Sequence, residues 1–182
     1  MTEISDRYRK VAGQLTDTID AVPAGAWDNP SPCDQWAARD VVRHLVETSA
    51  RFVSRAGGTT ADGPSADDDP VGAWAAARDS LQAALDDPEV AQRSYETPQG
   101  QGTLEQTMGM AGIADVVIHR WDIATAAGQT VQLDAEEVRG ALERMRPMED
   151  MIRSSGMFGQ AVPVPDDADD QTKLLAFTGR TP

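Results

Sequence analysis

Two histidines occur in the chain, His44 and His119, and each stands inside a stretch with helical periodicity. Asp115 precedes His119 by four residues, so on a helix a carboxylate and an imidazole project side by side from one face. Asp122, three residues beyond His119, shares that face. His44, brought in from a facing helix, closes the pair into two imidazoles and one carboxylate. Three such ligands leave one coordination position for water or substrate, the pattern of a catalytic zinc ion. The spacing alone is common, because an Asp and a His one turn apart also form ordinary surface pairs. What sets this pair apart is that both histidines fall on helices expected to face each other.

Other side chains compete for chemical roles. Cys33, between Pro32 and Asp34 and outside any expected helix, could be a nucleophile or a further ligand. Its anionic neighbour does nothing to lower a thiol pKa, so it reads as a buried structural thiol. Glu47, three residues after His44, is either an outer acceptor for the site or a solvated carboxylate. Asp122 either orients His119, as outer carboxylates do at metal sites, or pairs with an arginine on the helix surface. Trp27, Trp36, Trp74 and Trp121 read as packing residues. Arg43 and Arg120 adjoin the candidate ligands in sequence, but adjacency turns them away toward solvent or a loop. The sequence has no phosphate-binding Gly-rich loop, Ser-His-Asp arrangement or CxxC motif, so catalysis without a metal has no evident machinery.

The elements that must carry these residues are helical. Ile4, Tyr8, Val11, Leu15, Ile19 and Val22 recur at three- and four-residue steps, closed by Pro23 and Gly25. A second helix is predicted from about Trp36 to Arg55, with Val41, Val42, Leu45 and Phe52 inward. Residues 57–69, rich in Gly, Ala, Thr and Asp, read as a surface loop. Asp69 as N-cap and Pro70 at the first helical position open a third helix carrying Val71, Trp74, Leu81 and Leu85. Residues 89–102, with Pro98, Gly100 and Gly102, read as irregular with a short extended piece. Thr103 and Gln106 form a capping-box pattern that opens a fourth helix, running to about Gly128. Asp134 and Glu137 start a fifth, with Val138, Leu142 and Met145 inward and Pro147 kinking or ending it. An extended Val162–Pro165 stretch and a short helix around 171–177 complete an all-α chain. The expected architecture is an up-down four-helix bundle with an extra C-terminal helix and extended tail, read as one domain over 1–182.

Composition narrows the partners. Thirty acidic against 16 basic side chains give a formal charge of -14, a field that repels phosphate backbones and anionic lipid. Nucleic acid and membrane are therefore not expected partners, and no apolar run approaches the ~20 residues that span a bilayer. The single cysteine allows no internal disulfide, and the opening residues lack the basic and apolar regions of a secretion signal. The expectation is a cytoplasmic monomer or homodimer.

The segment Trp27-Asp28-Asn29-Pro30-Ser31-Pro32-Cys33-Asp34-Gln35-Trp36, followed by Arg39-Asp40-Val41-Val42-Arg43-His44-Leu45, resembles the N-terminal signature of the DinB-like superfamily. The branch it is most similar to is the actinobacterial one of the mycothiol-dependent maleylpyruvate isomerase N-terminal domain. His119-Arg120-Trp121-Asp122-Ile123-Ala124-Thr125-Ala126-Ala127-Gly128 resembles the second signature of that branch, and the tail from Val162 to Arg180 resembles the ending of a subgroup. The resemblance implies a four-helix bundle and a divalent metal, zinc or another, held by His44, Asp115 and His119. It also implies a metal-activated low-molecular-weight thiol, typically mycothiol, acting on a small electrophile. Asp115 departs from the Glu usual in the branch and has a shorter reach. Ala37 replaces the usual Thr or Ser cap, which removes a contribution of roughly 1 kcal/mol. No counterpart of the isomerase's C-terminal domain is visible, so the maleylpyruvate reaction itself is not expected. The leading expectation is a thiol S-transferase or isomerase. The alternatives are a hydrolase that activates water on the metal, and a non-enzymatic metal-binding stress protein.

Overall fold

The computed structural model describes residues 2–97, 100–156 and 158–182. The chain is mostly helical, with one small two-stranded sheet, and divides into two compact units, Met1–Gln129 and Thr130–Pro182.

The first unit is a four-helix bundle. Helix α1 (Glu3–Asp20) starts where the Thr2 side chain accepts the Ser5 N–H, and it buries Tyr8, Val11, Leu15 and Ile19 at the expected steps. Helix α2 (Ala38–Arg55) begins two residues later than the sequence suggests. The preceding segment folds back on itself: Ser31 N–H donates to the Trp36 carbonyl at 2.8 Å and Ala38 N–H to the Asn29 carbonyl at 3.0 Å. Trp36 is therefore in the turn, not the helix. Ala37 offers no side-chain cap, but the Asp40 carboxylate accepts the Ala37 N–H at 2.8 Å, so half of a capping box survives. The buried stripe of α2 runs through Val41, Val42, Leu45 and Val53, and Phe52, expected inward, is only half-buried. Residues 57–69 are irregular, as expected.

Helix α3 (Pro70–Asp86) opens on Asp69, whose carboxylate accepts the Gly72 N–H at 2.9 Å. Trp74, Leu81 and Leu85 are buried, but Val71 is 39% exposed. Pro70 and Ala73 take the buried face, and Val71 lies off it. A one-turn helix α4 (Pro88–Ala91) leads to strands β1 (Tyr95–Thr97) and β2 (Gly100–Gly102), which pair antiparallel with Tyr95 opposite Gly102. This is the extended piece expected in 89–102; Pro98 lies outside the described residues.

The capping box at Thr103 and Gln106 forms as the sequence predicts. Beyond it the chain is helical from Leu104 to Ala126, but not regular: α5 (Leu104–Thr107) passes through a π turn, Met108–Gly112, into α6 (Ile113–Ala126). A π turn adds about one residue and rotates everything after it by about 100° relative to a regular helix. Gly128, at φ 71°, lies in the turn after α6. Around the bundle α1 packs on α3 and α6, and α2 packs on the same two helices. The α2–α6 seam holds both histidines.

In the second unit, α7 (Ala135–Met145) is capped by Asp134 and buries Val138, Leu142 and Met145. Pro147 kinks the path without ending it: a single 3-10 turn leads into α8 (Glu149–Ser155). Helix α9 (Asp170–Phe177) packs on α7. The extended segment before α9 is tied to it by Val162 N–H donating to the Ala176 carbonyl at 2.9 Å. Among the described residues no helix is long and apolar enough to cross a membrane.

Candidate metal centre

His44 projects from the middle of α2, and Asp115 and His119 project one turn apart from α6. The π turn sets the phase that aims the latter two at α2. Five residues, Met108–Gly112, make that turn, and Met108, Gly112 and Ile113 are buried across it. His44 Nε2 lies 3.3 Å from Asp115 Oδ2, and His119 Nε2 lies 3.3 Å from Asp115 Oδ1. One ligand atom from each of the three residues falls within 4.8 Å of the others. Such separations suit donors around one ion with bonds of about 2.0–2.2 Å. The cluster is graded in exposure: the His119 side chain is 7% exposed, Asp115 26% and His44 29%. His44 and Asp115 therefore form its exposed edge, with His119 behind them.

Behind the cluster stands a buried acid. Asp122 is fully buried, and its Oδ2 accepts from His119 Nδ1 at 2.8 Å. That bond fixes the ring and leaves Nε2 facing Asp115 and His44. Of the two roles open to Asp122, the structure gives it the one toward His119. Cys33 corrects the sequence reading more sharply. It is half-buried rather than buried, and its thiol donates to Asp122 Oδ2 at 3.2 Å while lying 3.9 Å from His119 Nδ1. Cys33, His119 and Asp122 thus form a second group with metal-ligand spacing, sharing His119 with the first. The fold-back of residues 29–38 carries Cys33 there, and Asn29 Nδ2 ties that segment to α6 by donating to the Ala126 carbonyl at 2.9 Å.

Trp36 packs, as expected, but against the cluster itself: its ring centroid lies 5.1 Å from that of His44 and 6.2 Å from that of His119. Glu47 is exposed and outside the cluster. Arg43 turns to the 57–69 loop and pairs with Asp67 and with Asp40, while Arg120 Nε donates to Thr18 Oγ1 at 3.0 Å.

The electrostatics of the bare cluster favour a cation at its centre. Burial alone pushes Asp115 up, but the charges and hydrogen bonds of His119 and His44 outweigh it and hold its carboxyl well below the usual range. Burial likewise pushes the His119 imidazolium down. It is overcome by the Asp115 charge and by hydrogen bonds with Asp115, Asp122 and Cys33, so the His119 pKa stands well above the ordinary histidine value. Without a metal, a proton on His119 balances the carboxylates on either side of it. A dication taking the same place would release that proton.

Residues 8–124, a span that contains every residue of this cluster, match the mycothiol maleylpyruvate isomerase N-terminal domain family. The chain belongs to that family. It is a mycothiol-related, DinB-like helical domain of a metal-binding type. Its relatives include an uncharacterized protein of Mycobacterium tuberculosis strain H37Rv and one of strain CDC 1551. Each is 28% identical over 165 residues, which cover 88% of this chain and 88% of the relative. No solved structure matches the chain.

Proposed function

We propose that the protein is a metal-dependent thiol S-transferase or isomerase, which activates a low-molecular-weight thiol such as mycothiol toward a small electrophile. The observation that carries this reading is the convergence of His44, Asp115 and His119 on one point, with no fourth protein ligand grouped with them on the exposed side among the described residues. A divalent cation held there, zinc by the nature of its ligands, supplies the positive charge that ionises a coordinating thiol at neutral pH.

The chain's own residues do the rest. Asp115 carries the one negative charge among the three ligands, so the centre keeps a net positive charge that favours an anionic sulfur. Asp122 holds the proton of His119 at Nδ1 and keeps the Nε2 lone pair turned inward. The Trp36 ring lies against both imidazoles, and its apolar face lowers the polarity beside them. No side chain of the site is required as a nucleophile.

Cobalt substitution tests the proposal, because a thiolate on cobalt adds a sulfur-to-metal charge-transfer band in the near ultraviolet. Titrating the cobalt form with mycothiol is expected to produce that band, with proton release, and Asp115→Ala is expected to abolish it. A spectrum unchanged by saturating thiol, with cobalt demonstrably bound, would contradict the reading.

A further inference from the structure

Cys33 has no part in the proposed reaction, yet it stands in a group of three metal-ligating side chains. The group exists because His119 presents its two ring nitrogens to different partners. Nε2 faces Asp115, whereas Nδ1 lies 2.8 Å from Asp122 Oδ2 and 3.9 Å from Cys33 Sγ. The third edge of this inner triangle, Cys33 Sγ to Asp122 Oδ2, is 3.2 Å. Around a tetrahedral ion with bonds of about 2.0–2.3 Å, ligand atoms stand roughly 3.3–3.6 Å apart. The observed edges bracket that range, so small shifts admit an ion among the three.

The members are firmly placed. Asp122 is fully buried and His119 is buried beside it on α6. Cys33 is half-buried, and its backbone is held on both sides. Its N–H donates to Ser31 Oγ at 3.2 Å, and its carbonyl accepts the Trp36 N–H at 3.1 Å. The donor set differs from the outer one in containing sulfur. Two imidazoles and a carboxylate suit a borderline ion such as zinc, whereas a thiolate selects softer ions. Charge agrees with a second cation. Asp115, Asp122, a Cys33 thiolate and a His119 imidazolate supply four negative charges, which two dications neutralise. The inner ion takes the place of the thiol proton and of the proton between His119 Nδ1 and Asp122, and both leave to solvent.

We propose that Cys33, Asp122 and His119 form a second metal site, for a soft, thiophilic divalent cation, and that His119 bridges it to the ion held by His44 and Asp115. The inference does not depend on a thiol cosubstrate.

The test adds cadmium ion to the zinc-loaded protein freed of unbound metal. A cadmium–thiolate bond gives an ultraviolet charge-transfer band that imidazole and carboxylate ligands do not, and the chain has one cysteine, so the band reads Cys33. It is expected to saturate at one equivalent, with zinc retained on elemental analysis after dialysis. Cys33→Ser is expected to lose the band and keep its zinc. Asp122→Asn, of the same size, is expected to weaken cadmium binding at least about tenfold, the loss seen even for carboxylates that only support a ligand. His44→Ala is expected to keep the band although its outer cluster is broken. Circular dichroism confirms that each variant is folded. Absence of the band in wild type overturns the proposal, and cadmium that then displaces zinc one for one leaves the outer cluster standing alone. A band unchanged in Asp122→Asn means that the thiol binds cadmium by itself, and also overturns it. Loss of the band in folded His44→Ala makes the two groups a single site and overturns it as well.

Discussion

Along the α1–α3 seam the bundle buries Tyr8, Leu15, Ile19, Trp74, Leu81 and Leu85, and Trp74 satisfies its indole N–H on Thr16 Oγ1 at 2.9 Å. Along the α2–α6 seam it encloses His44, Asp115, His119 and Asp122, with the Cys33 thiol against the last two. Both seams belong to one bundle and join helices of similar length, but the first keeps its ion pair, Arg9 with Asp86, partly exposed, whereas the second sets two imidazoles and two carboxylates side by side, with His119 and Asp122 buried. Buried charges without partners are costly, so α2 and α6 must supply each other's partners, and an ion between them would remove the remaining imbalance. One seam holds the bundle together; the other uses that rigidity to bring His44, Asp115 and His119 to one point.

Three substitutions sharpen or break this contrast. Leu15→Ala in the apolar seam is expected to cost about 2–5 kcal/mol of stability by transfer and cavity terms, measured by urea unfolding, while metal stoichiometry in the folded protein stays unchanged. Loss of metal in that variant would mean the two seams are not separable. Asp122→Asn keeps the size of the side chain and removes its charge. Metal affinity should fall about 10–100-fold, as when other outer carboxylates are lost, read by chelator competition; an unchanged affinity would make Asp122 a packing residue.

Asp40→Ala should have the smallest effect. Asp40 is held below its usual pKa by the Ala37 N–H and by Arg43, against a smaller opposing effect of burial. A folded-state pKa depressed in this way contributes stability above the unfolded value of about 3.9, and that contribution is lost as the pH falls through the folded pKa. The variant is expected to be less stable by about 0.5–1 kcal/mol at pH 7. The difference should disappear in acid, below both pKa values. A difference that persists there would assign the effect to something other than the carboxylate charge.

Much of the frame is legible in the sequence because its signals are local. The stripes of α1 and α3 follow from spacing, and the starts of α3, α5 and α7 follow from Asp69, Thr103 and Asp134, whose side chains cap as expected. The meeting of His44 with Asp115 and His119 follows from two stripes and a resemblance. What escapes depends on distant contacts or on broken periodicity. Cys33 reaches Asp122 across 89 residues, through a fold-back that no periodic pattern announces. Trp36 reads as packing because most tryptophans pack, and its place beside the histidines depends on that same fold-back. The π turn at Met108–Gly112 changes the backbone winding without a sign in residue spacing, since Met108 and Gly112 are buried at an ordinary four-residue step. Val71 and Phe52 sit at the edges of their stripes, where a single residue's burial is decided by its neighbours.

The central claim is that His44, Asp115 and His119 together hold one divalent ion. Calorimetric titration of the metal-stripped protein with zinc tests it most directly, run on wild type and on His44→Ala, Asp115→Ala and His119→Ala, with circular dichroism to confirm retained helix. The account predicts a single tight site in wild type and a sharp loss of affinity in each variant while the helices persist. Wild-type zinc affinity in a folded His44→Ala protein would contradict it.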